Sequence, residues 1–174
     1  AAGHTVSFRD VDDVQIDSVI YVGITAATFN LTAGSVTDVQ AITATNFSLT
    51  ASGTVTLDMA TTDVDTLAIS ASGQSVSFRD ADGFDIGSVG GINGATATTL
   101  ALTAGGAVTD SQAMTATNLA VTATGTVTLD VATSDIDVLA ISASGQSVSF
   151  RDADGIDIGS VGGINGVAAT TFAL

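Results

Sequence analysis

Residues Leu100–Asp152 read LALTAGGAVTDSQAMTATNLAVTATGTVTLDVATSDIDVLAISASGQSVSFRD. Three phrases lie inside this stretch: LALTAGGAVTD from Leu100, LAVTATGTVTLD from Leu119 and LAISASGQSVSFRD from Leu139. Each begins with an apolar pair at alternate positions, such as Leu119/Val121 or Leu139/Ile141, and regains an apolar residue eight or nine positions on, at Val108, Val127 and Val148. Period-two alternation marks half-buried strands, and the Gly, Ser and Asn between them mark turns. A phrase of this length cannot bury its own apolar side, but stacked on copies of itself it can. The phrases therefore read as rungs of a coil.

A longer period frames them. A fourth phrase, IDIGSVGGING, starts at Ile156, and the preceding copy has its starts at Phe29, Phe47, Leu67 and Phe84, with the same order of lengths. Asp10, Asp80 and Asp152 are equivalent, as are Phe29, Leu100 and Phe172, so the module is about 72 residues long. The chain divides into a partial module at 1–28, complete modules at 29–99 and 100–171, and the start of another at 172–174, all within one continuous solenoid. The expected fold class is all-β: a right-handed parallel β-helix with rungs of about 16–20 residues and four rungs per module. Roughly nine rungs at about 4.8 Å would give a rod of about 45 Å. An immunoglobulin-like sandwich would need hairpins between neighbouring strands. The in-phase LAxTA phrases favour parallel stacking, and no sustained hexapeptide repeat points to the left-handed coil.

Composition agrees with this reading. Hydrophobic residues make up 45% of the 174 residues, but aromatics only 5%. Lys and Glu are absent, every acid is Asp, and Thr, Val, Gly and Asp favour strands and turns over helices. A net charge of -15 argues against nucleic acid and anionic membrane partners. The uncharged run from Ile86 to Thr109 is interrupted by Gly, Asn and Thr and alternates like strands, so no membrane insertion is expected. Without cysteine there is neither a disulfide framework nor a thiol site. The chain starts within a repeat and without Met, as a slice of a longer protein would.

The stretches LALTAGGAVTDSQAMTATNLAVTATGTVTLD and DVLAISASGQSVSFRDADGIDIGSVGGING resemble the repeat shafts of filamentous-haemagglutinin-like giant adhesins of Gram-negative bacteria. The resemblance covers essentially the whole chain. It implies a right-handed β-helical rod, export to the cell surface or the extracellular space, and a role as fibre or stalk. Its partners would be neighbouring modules of the same chain and other copies in a fibre. It brings no catalytic residues, and no enzyme activity is expected.

One phrase has the chemistry of a site. RDADGFD places Asp80, Asp82 and Asp85 close together, and RDADGID repeats them as Asp152, Asp154 and Asp157. Clustered aspartates around a glycine turn are what a Ca²⁺ ion needs, although the phrase fits neither the EF-hand nor the RTX pattern. The same residues are those that an Asx-turn or type I turn selects. No cofactor is required, and Ca²⁺ is the one candidate. Arg9, Arg79 and Arg151 each precede one of these acids, as a local charge pair with the option of stacking from rung to rung. Asp63/Asp65 and Asp135/Asp137 alternate with apolar residues and read as an exposed strand face. They could also be the carboxylate pair of a glycoside hydrolase, but every pair recurs a module away. Thr43/Thr45, Thr115/Thr117, Thr54/Thr56 and Thr126/Thr128 suggest short threonine ladders. His4 reads as an incidental loop residue, and Tyr21 with seven Phe is scant material for a glycan platform.

Overall fold

A computed structural model describes residues 3–17 and 23–174, and no described residue is helical. Ten-residue strands alternate with three-residue strands. The order is Ile24–Ala33, Val36–Asp38, Ile42–Ala51 and Val55–Leu57, then the long bent strand Asp63–Asp80 and Phe84–Ile86. The second module follows with Ala95–Ala104, Val108–Asp110, Met114–Ala123, Val127–Leu129, Asp135–Ser142 and Ser147–Phe150. Every pairing between these strands is parallel. They stack as a β-solenoid of about eight turns.

The alternation in the sequence becomes columns in the structure. Phe29 lies beside Phe47 and Phe47 beside Leu67, while Leu31, Leu49 and Ile69 form the parallel column two residues on. All six point inward and are almost completely buried. Burying one such side chain contributes about 1.5–3 kcal/mol, so each added rung stabilises its neighbours. The Phe29 and Phe47 rings stack at 5.3 Å and 8°. Phe78 closes the interior, at 6.4 Å from Phe47 and edge-on to Phe84 at 5.3 Å.

Register corrects the count of four rungs per module. The fourth phrase pairs with the Leu67 phrase, Ile86 beside Leu67, but it does not lie beneath Leu100. Phe84 lies beside Val108, while Leu100 lies beside Val76. One column therefore runs Val36, Val55, Val76, Leu100, Leu119, Leu139 and Ile158. From Val76 to Leu139 is three turns, and Val148, the module equivalent of Val76, lies half-way round the next. A module thus advances three and a half turns. The same junction recurs where Val6 meets Phe29 and where Val148 meets Phe172. Long strands that occupy one side of the coil in the first complete module occupy the opposite side in the second.

The missing half turn is explained by SVGGIN. Ser88–Val89 and Ile92–Asn93 pair antiparallel, and Ser160–Val161 and Ile164–Asn165 do the same. Their loops are Gly90-Gly91 and Gly162-Gly163, with φ of 61° and 87°, and of 59° and 86°. Positive φ at both central residues is the type I′ geometry that suits the twist of a two-residue hairpin. The hairpin lies on the outside of the coil. Val161 and Ile164 cover Ala120 and Ala140, with Ala101 and Val138 beside them. In the first module Val89 is buried at the corresponding place, and Gly90 lies against Asn30 and Ser48. Each module thus ends in a clasp that folds back onto its own long strands.

Candidate functional site

In RDADGFD the chain leaves the long strand Asp63–Asp80, turns through Ala81–Gly83 and enters Phe84–Ile86. The turn is fixed to the rung before it, because the Ala81 N–H donates to the Thr62 carbonyl. The three carboxylates then diverge. Asp80 is 2% exposed, and its Oδ1 accepts the Val64 N–H at 2.8 Å from the preceding rung. Its Oδ2 accepts the Asp82 N–H at 3.2 Å. Asp82 Oδ1 accepts the Gly83 N–H at 2.6 Å. Asp85 faces the following rung, where the hydroxyls of Thr109 and Ser111 donate to its two oxygens at 2.9 and 2.6 Å.

The second copy is arranged alike. Asp152 accepts from Ile136 N–H at 2.9 Å and from Asp154 N–H at 3.3 Å, and Asp154 accepts from Gly155 N–H at 2.6 Å. Asp157 is exposed and lies opposite Val138. In the degenerate first copy, Asp10 accepts the Asp12 N–H, and Asp13, which replaces the glycine, reaches across to the Ser35 N–H at 2.9 Å. Among the described residues no three acidic or histidine side chains converge as a metal-holding group. Asp80, Asp82, Asp152 and Asp154 serve as acceptors for backbone N–H groups that a coil leaves unpaired at its corners, while Asp85 takes side-chain hydroxyls.

Sequence reasoning missed other members of this set. Thr62 and Ser134 are fully buried, and their hydroxyl oxygens accept the N–H of Ile42 and Met114 at 3.3 and 3.1 Å. Asp38 Oδ1 accepts the Asp58 N–H at 3.0 Å, and Asp110 accepts from Asp130 and Val131. Burial raises the pKa of Asp38 and Asp110 above the ordinary carboxylate value, against the lowering effect of those backbone bonds. Burial likewise raises Asp80 to about 7, and the neighbouring Asp82 adds to the rise. The only signal for these pegs in the sequence is their recurrence, Thr62 with Ser134 and Asp38 with Asp110, a module apart.

The remaining candidates are dispersed. Arg9 and Arg79 are exposed and lie opposite Thr32 and Thr103. Arginines three and a half turns apart cannot stack rung to rung, so that expectation is corrected. Asp63, Asp65, Asp135 and Asp137 are exposed around the buried Val64 and Ile136. The threonine ladders differ in length: Thr56 lies between Thr37 and Ser77, and Thr128 lies between Thr109 and Ser149. Thr115 ends a column that runs Thr32, Thr50, Ser70, Thr96 and Thr115. The His4 carbonyl accepts backbone bonds from Ala27 and Thr28. Tyr21 lies outside the described residues. A cavity of about 240 Å³ is lined chiefly by the exposed Phe8, the half-buried Val6, Val14 and Ile24, and the core residues Phe29 and Leu31.

The chain matches no protein-family model, no curated protein and no solved structure.

Proposed function

We propose that this segment is a structural shaft element of an extracellular bacterial fibre or adhesin stalk, holding a distal element away from the cell. One observation carries the reading: the features that look like a site recur in each module, and within them Asp80, Asp85 and Asp152 accept hydrogen bonds from a neighbouring rung. A catalytic or recognition site is normally a departure from the repeat. Here the departures from rung geometry are the hairpins, which recur as well. The resemblance of the repeats to haemagglutinin-like shafts supports placement on the surface of a Gram-negative cell. Parallel ladders then supply the mechanics, because their backbone hydrogen bonds run along the axis and extending the rod loads all those between two rungs in tension together.

Length measurement on proteins carrying two, four and six consecutive modules tests the proposal. A shaft element yields straight rods in electron micrographs that lengthen by about 17 Å per module, at about 4.8 Å per turn. Globules, or flexible chains with no linear growth, would overturn it.

A further inference from the structure

We propose that Asp80 is a proton-operated brace, so that the rod is most stable in mildly acidic surroundings and loses stability as pH rises toward neutrality. The geometry comes first. The Asp80 side chain lies inside the corner that joins the long strand Asp63–Asp80 to the fourth phrase, and it is 2% exposed. Its oxygens face two backbone N–H groups, those of Val64 and Asp82. The charged groups around it bring no compensation. Asp82 is on its own turn, and Asp63 and Asp65 flank Val64 at the start of the same bent strand. The following rung presents Ala104, Gly105 and Gly106, none of them ionisable, and Arg79 points to the exposed side of the strand. A buried carboxylate without a cation carries a desolvation cost that two N–H donors offset only in part.

The same task is done elsewhere by neutral groups. Thr62 and Ser134 each accept one N–H from a rung away while fully buried. At Asp80 the acceptor can titrate. As the neutral acid it still accepts from Val64 and can donate its own O–H to the Asp82 carboxylate, which relieves both burial and like-charge repulsion. Burial first, and Asp82 after it, hold the pKa at about 7 in the folded rod, against about 3.9 for an unfolded aspartate. The folded value is the raised one. Stability from this proton is therefore fully present below about pH 4, falls as pH rises from there to about 7, and is level above that.

Thermal melts of the chain from pH 5 to 8, beside Asp80→Asn, make the test. The wild-type midpoint should fall by about 5 °C between pH 5 and 7 and then flatten. Asp80→Asn, whatever its absolute midpoint, should lose most of that slope. A second reading is independent of the variant: the Asp80 side-chain carboxyl carbon, followed by NMR, should titrate near neutrality. A carboxyl midpoint below pH 5 would overturn the proposal, as would a melting slope unchanged in Asp80→Asn.

Discussion

The ladder of long strands and the SVGGIN clasp share each module but obey different rules. In the ladder, Leu100, Leu119 and Leu139 occupy equivalent places, and the interior fixes each by its neighbours above and below. In the clasp, Val89 and Ile92 pair with each other across two glycines, and contact with the coil is made on its outer surface. The ladder decides that the chain coils. The clasp decides how far each coil has turned when the next module begins, and so on which side of the rod every repeated feature emerges. Arg79 and Arg151, alike in sequence, thereby face opposite sides.

The largest effect belongs to the ladder. Leu119→Ala removes a fully buried side chain from the middle of a column, and should cost about 2–5 kcal/mol in denaturant unfolding. A loss below about 1 kcal/mol would mean that the column is not close-packed. Next comes the joint between the two regions. Gly94 has a φ of 72°, and a Cβ there would run into the Ala113 carbonyl of the following rung. Gly94→Ala should cost about 2–4 kcal/mol, strain and clash together. Gly91 has a φ of 87° but open space around its Cβ position, so Gly91→Ala should cost about 1 kcal/mol, from conformation alone. Equal losses at the two glycines would break the distinction between clasp and ladder.

The smallest expected effect is that of calcium on the RDADG corners. With Asp80, Asp82 and Asp85 turned toward three different sets of donors, the melting midpoint in excess Ca²⁺ should equal that in excess chelator. A Ca²⁺-dependent rise of several degrees would restore the aspartates as ligands. At the exposed pairs Asp63/Asp65 and Asp135/Asp137, screening by water leaves each charge with little influence on stability.

Much of the fold was legible because burial and period coincide. Leu119 and Val121 alternate, and so do Leu139 and Ile141, and the structure turns both pairs inward. The hairpin was hidden because Val89 and Ile92 supply apolar residues where another rung would have them. Two adjacent glycines fit a turn between strands as well as a turn within one. The half-turn advance was hidden for a deeper reason. Val76 and Leu100 become column neighbours although they hold different places in their phrases, and no alignment of like with like can reveal a contact between unlike positions. At the candidate site, the turn residues of RDADG could be read from the sequence. The buried roles of Asp80, Thr62 and Ser134 could not, since a polar residue that braces a corner is written like one that faces water.

The half-turn register is the central structural claim, and the absence of native cysteine makes it directly testable. Ser77 lies opposite Ala101 in the parallel ladder. Neighbouring strands about 4.8 Å apart bring such a pair within the span of a disulfide. Ser77→Cys with Ala101→Cys should oxidise to an intramolecular disulfide in nearly every molecule, whereas Asp85→Cys with Ala101→Cys should stay reduced. The opposite outcome, cross-linking through position 85 and none through position 77, would mean that the fourth phrase forms a full rung and would contradict the account.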